Sequence, residues 1–191
     1  TYDTSFNVAK TAPISHVWDI MIKNNIKTVT LIDDEGNFVG IVTLGDMARA
    51  NLEVSDNFRR FMVPMENIIQ TLDGKALNLS NNYFSGDLAV AAMKVEDVKK
   101  RLSRNTLLIV GNREDVQLAS LRQMVNTLVV TGNCRVSDRV LNKAIENKVN
   151  LIKVPYDTFN TVKLISHSIP VKYVMKSDNL VTFETHELVD D

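Results

Sequence analysis

The residues best suited to chemistry lie between positions 40 and 46, where the sequence reads Gly-Ile-Val-Thr-Leu-Gly-Asp. An apolar run precedes Thr43, and Met47 begins helical spacing after it, so the segment predicts a strand that leads directly into a helix. A helix start carries unpaired N–H groups and a positive dipole, which suit a phosphate. The Thr43 hydroxyl could donate to that phosphate, and Asp46 could accept hydrogen bonds from a ribose diol.

The same two residues are also typical of a capping box. In that arrangement a hydroxyl and a carboxylate three positions apart satisfy the N–H groups at a helix start. From Thr43 and Asp46 alone, a ligand site and a capping box are equally supported. The segment lacks the GxxxxGK[ST] pattern of a P-loop, so hydrolytic nucleotide chemistry is not indicated.

Other residues that could carry catalysis or hold a metal are isolated. His16, His167 and His186 form no HExxH pattern, and Cys134 has no Cys or His at zinc-ligand spacing. No GxSxG nucleophile elbow is present. The acidic run 33–35 precedes Gly36 between two strand-like segments, which favours a solvated hairpin turn. We therefore predict no catalytic residue and no metal site in this chain.

Composition excludes several classes of protein. The 191 residues are 45% hydrophobic and 24% charged, with a net charge of −1, so neither nucleic acid nor an anionic membrane is an expected partner. No apolar run approaches the roughly 18 residues of a membrane helix, and the amino end has no secretory signal. With a single cysteine, the expected location is the cytoplasm. Because the chain has no initiator Met and ends in what resembles a first helical turn, we expect part of a longer protein.

The first 50 or so residues predict strand, helix, strand, strand and helix. Ile14, Val17, Trp18 and Met21 lie at the spacing of one helical face. Residues 26–32 and 38–42 predict a hairpin, and residues 5–10 a preceding strand. Residues 53–65 are charged and irregular, as expected of a connector.

A second kind of unit follows, in which strands and helices alternate. The expected strands are 67–72, 87–93, 106–110, 127–130 and 150–154. The expected helices lie near 95–102, 114–124, 137–148 and 158–166. Residues 74–86 are expected to be an irregular polar stretch. Alternation of this kind predicts right-handed crossovers and a largely parallel sheet.

The tail from residue 168 carries a weak repeat of the beginning. Thr185 and Leu188 have the spacing of Thr11 and Ile14, and both pairs follow a short strand, the later one at 179–184. A middle domain between two copies of one unit is the economical interpretation. The predicted fold class is therefore α/β: α+β units that flank an α/β domain with a largely parallel sheet.

Residues 6–52 resemble a cystathionine-β-synthase (CBS) domain through Pro13-Ile14, Ile26–Val29 and the 40–46 motif. The resemblance implies binding of adenine nucleotides in paired domains, with Asp46 on the ribose and Thr43 near the phosphate. Departures are a missing Val-Met segment and Thr30 where proline is common. The candidate nucleotide-binding residues are Gly40, Thr43, Asp46, Thr28 and Val29, with Lys10 and Lys27 flanking the pocket as weaker phosphate contacts whose alternative is surface solvation. Ile169–Ser177 resembles the opening strand of a second CBS domain.

The middle region resembles a DRTGG domain through residues 107–115, 128–133 and 154–159, with the namesake letters only partly kept in Thr131-Gly132-Asn133. Its loops 111–114, 131–135 and 156–158 leave the carboxyl ends of strands, where ligands tend to lie. We favour the alternative that these loops hold helix caps at Asn112, Ser137 and Asp157. We expect this domain to space or couple its neighbours more than to bind a ligand.

A DRTGG domain between two CBS domains, with boundaries at 1–60, 61–168 and 169–191, resembles the regulatory insert of CBS-containing, manganese-dependent family II inorganic pyrophosphatases. The resemblance implies inhibition by AMP and ADP and activation by ATP or diadenosine polyphosphates. It also implies a homodimer through CBS domains and manganese in DHH-type catalytic domains of the same polypeptide. This chain has no Asp-His-His sequence and cannot hydrolyse diphosphate itself. Two alternatives stay open: a regulatory module of another metabolic enzyme, or a ligand-independent scaffold that oligomerises through the Ile14, Val17, Trp18 and Met21 helix face.

Overall fold

The computed structural model describes residues 6–53, 58–92 and 94–175. They divide into two compact units, residues 6–53 with 169–175, and residues 58–168. Both units combine helices with sheet, which confirms the predicted α/β class. The expected strand at 179–184 and the helix start at Thr185 lie outside the described residues.

The first unit has the predicted order of strand, helix, strand, strand and helix. Its elements are β1 (Asn7–Ala9), α1 (Ile14–Asn24), β2 (Thr28–Ile32), β3 (Phe38–Thr43) and α2 (Leu44–Glu53). In the sheet β1 pairs parallel with β2, and β2 pairs antiparallel with β3. The turn between β2 and β3 is the predicted one. The Asp33 carboxylate accepts from the N–H groups of Glu35 at 3.0 Å and Asn37 at 2.8 Å.

Alternation along the strands gives this sheet one buried and one more open face. Val8, Val29, Leu31 and Val42 are buried on the face that packs into the core. Helix α1 adds Ile14, Val17 and Met21 to the same core. Thr28 pairs with Thr43 and Thr30 with Ile41, and these side chains lie on the opposite, less buried face.

Residues 169–175 pack against this first unit, but not as the predicted strand. Val171–Tyr173 is a 3-10 turn. The backbone nevertheless docks on the loop before α1, since Pro170 bridges Pro13 and the Val171 N–H donates to the Ala12 carbonyl at 2.8 Å. Proline on one side and a helical turn on the other leave too few residues for a strand.

The second unit is built around a five-stranded sheet in the order β5-β10-β9-β8-β7. The pairs from β7 to β10 are parallel, while β5 pairs antiparallel with β10. The elements are β4 (Val63–Pro64), α3 (Met65–Thr71), β5 (Lys75–Asn78), β6 (Tyr83–Phe84), β7 (Asp87–Val90), α4 (Val95–Arg101), β8 (Thr106–Val110), α5 (Glu114–Arg122), β9 (Thr127–Val130), α6 (Asp138–Glu146), β10 (Asn150–Lys153) and α7 (Thr158–Ile165). The largely parallel sheet is confirmed.

Two predictions for this unit are wrong. Residues 67–72 form most of helix α3 and not a strand, because Met65, Ile68 and Leu72 are all buried at helical spacing. The stretch 74–86, expected to be irregular, contains β5 and β6. Buried Asn150 holds the link between these strands, since its side-chain oxygen accepts from the N–H groups of Ser80 at 2.7 Å and Asn81 at 2.9 Å.

An ion pair lies at the first residue of β7. The Arg59 guanidinium donates to both carboxylate oxygens of Asp87, each at 2.7 Å. This hydrogen-bonded pair lowers the pKa of Asp87 and raises that of Arg59. Both side chains are exposed, so solvent screens the pair and it contributes little to stability.

Candidate nucleotide site at the start of helix α2

Thr43 and Asp46 form a reciprocal capping box at the junction of β3 and α2. The Asp46 N–H donates to the Thr43 hydroxyl at 3.1 Å, and the Thr43 N–H donates to Asp46 Oδ2 at 2.9 Å. The predicted helix cap is therefore present. A capping role does not exclude a ligand role, because a hydroxyl has further lone pairs and a carboxylate has a second oxygen.

The second oxygen of Asp46 also has a partner. Arg49, one turn further along α2, donates from Nη2 to Asp46 Oδ1 at 2.7 Å. The Asp46 side chain is 4% exposed, while that of Arg49 is 40% exposed. A ribose hydroxyl could reach Oδ1 only after the guanidinium moves away.

Arg49 was not among the residues selected from the sequence. A carboxylate and a guanidinium three positions apart on a helix are neighbours, and that spacing was the available signal.

Thr28 and Lys27 lie at the same corner of the sheet as Thr43. Thr28 pairs directly with Thr43 across β2 and β3, so the two hydroxyl side chains share the more open face. The Lys27 carbonyl accepts the Leu44 N–H at 2.9 Å, and the Lys27 side chain is exposed beside the start of α2. The structure thus brings together Thr28, Thr43 and Asp46, with the Lys27 backbone beside them.

Lys10 lies at the other end of the sheet. Its N–H donates at 2.9 Å to the carbonyl of Ile32, the last residue of β2. Thr28 is the first residue of that strand, about 13 Å away at roughly 3.3 Å per residue. There Lys10 faces Asp33, whose pKa is lowered mainly by the Asn37 N–H and to a smaller extent by Lys10. The structure does not group Lys10 with the Thr43 corner.

Val29 and Gly40 lie on the core face of the sheet. Val29 is 1% exposed, so only its backbone could meet a ligand. A Cβ on Gly40 would overlap the sulfur of Met175, which packs directly over this position. Close packing of residues 169–175 therefore accounts for Gly40.

The loops at the carboxyl ends of β8, β9 and β10 are tied down by their own hydrogen bonds. Ser137 and Asp157 cap α6 and α7 as predicted, accepting from Val140 N at 3.2 Å and Asn160 N at 2.7 Å. The predicted cap at Asn112 is wrong, because α5 begins after Arg113 without a side-chain cap. Buried Gln117 donates to the carbonyl of the preceding Gly111 instead, at 2.9 Å.

The scaffold hypothesis named a helix face that is mostly inside the first unit. Ile14, Val17 and Met21 are between 0% and 3% exposed. A face already buried within its own chain cannot pair with a second chain, so that surface assignment is wrong. The exposed apolar residue of α1 is Ile22, at 73% exposure.

The described residues contain neither a metal-binding cluster nor a membrane-spanning helix. In residues 6–53, 58–92 and 94–175, no group of three His, Cys, Asp or Glu side chains is placed to hold a metal ion. Within the same ranges, no helix has the length and apolar character needed to cross a membrane.

Sequence comparison defines the class of protein. The DRTGG domain family matches residues 67–168, more than half of the chain, and the CBS domain family matches residues 5–53. The chain belongs to the DRTGG domain family and carries a CBS domain ahead of the DRTGG domain.

Individual relatives are more specific. The chain is 30% identical to the cobalt-dependent inorganic pyrophosphatase of Clostridium perfringens, an alignment that covers 96% of this chain and 35% of that protein. It is 27% identical to a probable manganese-dependent inorganic pyrophosphatase of Thermotoga maritima, over 82% of this chain and 29% of that protein. The chain thus spans about a third of the length of the curated relatives it matches.

A solved structure resembles the whole chain. It contains the CBS and DRTGG domains of the regulatory region of Clostridium perfringens pyrophosphatase, complexed with the activator diadenosine tetraphosphate. The TM-score is 0.86 at 26% identity, and the match covers 96% of this chain and 85% of the other. The sequence resemblance to the regulatory region of such pyrophosphatases is confirmed.

Proposed function

We propose that this chain is an adenine-nucleotide-sensing regulatory region of an inorganic pyrophosphatase. AMP and ADP inhibit and ATP or diadenosine polyphosphates activate, all by binding in a CBS pair that includes the Thr43 corner. The enzyme is a homodimer through its CBS domains and carries manganese in DHH-type catalytic domains of the same polypeptide, in the cytoplasm. Similarity to the relatives supports the regulatory role. The choice of binding residues and of nucleotides is our proposal and goes beyond that similarity.

The observation that carries the proposal is the polar corner formed by Thr28, Thr43 and Asp46 at the start of α2. Hydroxyl groups and a helix start suit a phosphate, and a carboxylate suits a vicinal diol. The Clostridium perfringens regulatory region, which shares this fold, has been solved with diadenosine tetraphosphate, which contains two ribose diols and four phosphates.

Displacement of Arg49 is the first step of nucleotide binding at the proposed site. The ribose diol replaces the guanidinium at Asp46 Oδ1, where Arg49 now donates at 2.7 Å. The half-exposed arginine then becomes available to the nucleotide phosphates. A ligand changes the balance between two arrangements of the regulatory region only through different affinity for them, and a typical coupling is about 1 to 3 kcal/mol.

Calorimetric titration of the chain with AMP and with diadenosine tetraphosphate tests the assignment. Asp46→Asn keeps an oxygen for the Thr43 N–H but loses the charge that holds the diol, so we expect at least a tenfold rise in Kd with an unchanged circular dichroism spectrum. The matched control is Asp19→Asn, an exposed acid on α1. Equal affinity of Asp46→Asn and Asp19→Asn would refute the site.

A further inference from the structure

A solvent-open recess lies between α4 and the edge strand β7 of the second unit. It consists of two adjoining cavities of about 230 Å³ and about 590 Å³. Asp97 and Arg101 line both cavities, so the two lie side by side. The larger volume is in the roughly 300 to 1,000 Å³ range of small-molecule sites.

The smaller cavity is an apolar slot that the register of the sheet explains. Ala89 of β7 aligns with Leu108 of β8, which in turn aligns with Leu128 of β9. The inner strands thus fill this row with leucine, while the edge strand supplies only a methyl group. The slot that remains under α4 is walled by Val98, Leu102 and Leu108.

The larger cavity is a cationic mouth. Lys94, Lys100 and Arg101 line it together with Asp97 and Ala92. None of the three cations has a carboxylate within 4.0 Å in the described parts of the chain. Between positions 94 and 104 the sequence has five basic and two acidic residues, whereas the whole chain has a net charge of −1. Three of these five basic residues, Lys94, Lys100 and Arg101, lie where the recess opens, with Asp97 as the one acid among them.

We propose that this recess is a second nucleotide site, which takes a nucleoside diphosphate or triphosphate. The base lies in the slot against Leu102 and Leu108, and the phosphates lie among Lys94, Lys100 and Arg101. Asp97, at the junction of the two cavities, accepts from a sugar hydroxyl or a base amino group. An apolar slot that opens on clustered cations matches a molecule with a flat ring at one end and charge at the other.

The proposal is independent of the Thr43 corner, and the test keeps the two sites apart. The chain is labelled with ¹⁵N, carries Asp46→Asn, and is titrated with ADP while amide chemical shifts are followed. We expect saturable shifts at Ala89, Ala91 and Val98. In the double variant Lys100→Glu/Arg101→Glu the Kd from these shifts should rise at least tenfold, while Lys99→Glu, on the same helix but outside the recess, should leave the Kd within twofold.

Inorganic diphosphate tests the role of the slot. We expect it to shift the amides of Lys100 and Arg101 but not those of Ala89 and Ala91, and to bind at least tenfold more weakly than ADP. Ala91→Leu, which fills the slot, should remove ADP binding while a native-like spectrum persists. Absence of saturable shifts at Ala89 and Ala91, equal affinity of the Lys99 and Lys100/Arg101 variants, or equal affinity for ADP and diphosphate would each overturn the proposal.

Discussion

An acidic residue takes part in capping the start of both α2 and α7, yet the two carboxylates are placed very differently. Asp157 is exposed and accepts one backbone N–H, that of Asn160, at 2.7 Å. Asp46 is 3% exposed, accepts the Thr43 N–H and holds the Arg49 guanidinium. A simple cap needs one acceptor, whereas Asp46 is surrounded by more hydrogen-bonding groups than capping requires.

The difference shows how a structural cap can be separated from a candidate ligand group. Desolvation of a carboxylate costs free energy. Capping does not require this burial, because an exposed Asp caps a helix equally well. Burial of Asp46 under an exchangeable arginine keeps a charged acceptor in a partly dry corner, where a hydrogen bond to a ligand is stronger than in water. Asp157, in contrast, is surrounded by water, which weakens any hydrogen bond that its carboxylate could make to a ligand.

The largest expected effect comes from truncation of the two carboxylates. Asp46→Ala removes a cap and a charge-assisted bond and leaves Arg49 without its partner, so we expect a loss of about 2 to 3 kcal/mol of stability. Asp157→Ala should cost about 1 kcal/mol. Urea unfolding of the first unit is followed by fluorescence of Trp18, the single tryptophan, which lies in that unit. Amide hydrogen exchange of Leu108 and Val129 reports on the second unit.

Equal losses for the two variants would contradict the comparison. The matched control is Asp138→Ala, an exposed acid in the first turn of α6 that is not the cap residue. It should lose no more than about 0.5 kcal/mol, the usual range for a surface substitution.

The next prediction separates the contribution of the Thr43 hydroxyl to stability from that of the Asp46 carboxylate within the capping box. Thr43→Val removes the acceptor of the Asp46 N–H but keeps the β-branched shape that suits the end of β3, so we expect a loss of about 1 kcal/mol. Thr43→Ser keeps the hydroxyl and should cost less. Ser137→Ala at α6 is the comparison in the second unit, with a similar loss of about 1 kcal/mol. A Thr43→Val variant as stable as the parent would mean that the hydroxyl is not needed for the helix.

Substitution of Arg49 is expected to have a smaller effect, and this effect is a gain in ligand affinity. The ion pair with Asp46 is half exposed and contributes at most about 1 kcal/mol. If adenosine must displace Arg49, Arg49→Met should tighten adenosine binding by up to about fivefold, because the competitor is gone. AMP should not gain as much, since its phosphate loses the freed guanidinium. Calorimetry with both ligands measures the ratio, and equal changes for adenosine and AMP would contradict the displacement step.

The sequence predicted the parts of the fold in which local pattern and tertiary packing agree. Strands 106–110 and 127–130 are uninterrupted apolar runs, and they lie in the middle of the sheet with every residue buried. Residues 67–72 were predicted wrongly because a short apolar run does not distinguish a strand from a buried helix. Tertiary packing decides in favour of helix, because Met65, Ile68 and Leu72 are buried at helical spacing. The remote contact from the Asn67 side chain to the Ser168 carbonyl, at 3.1 Å, adds to that packing.

The candidate site was predictable only in part, for a related reason. Thr43 and Asp46 are local in sequence, so their motif identified them. Lys10 appeared to flank the same pocket, yet parallel pairing of β1 with β2 places it at the opposite end of the sheet. Strand pairing between distant segments decides which residues meet, and no short pattern contains that information.

The smallest expected effect is a pH dependence confined to the second unit. His167 lies in the 3-10 turn after α7, and partial burial lowers its pKa below the usual value near 6.5. The unfolded chain then takes up a proton near pH 6.5 while the folded unit resists it, so stability falls as the pH drops below about 6.5. His167→Gln should flatten that fall in the amide exchange of Leu108 and Val129. The Trp18 transition of the first unit should not change, and a His167→Gln effect that appeared there would show that the two units do not unfold independently.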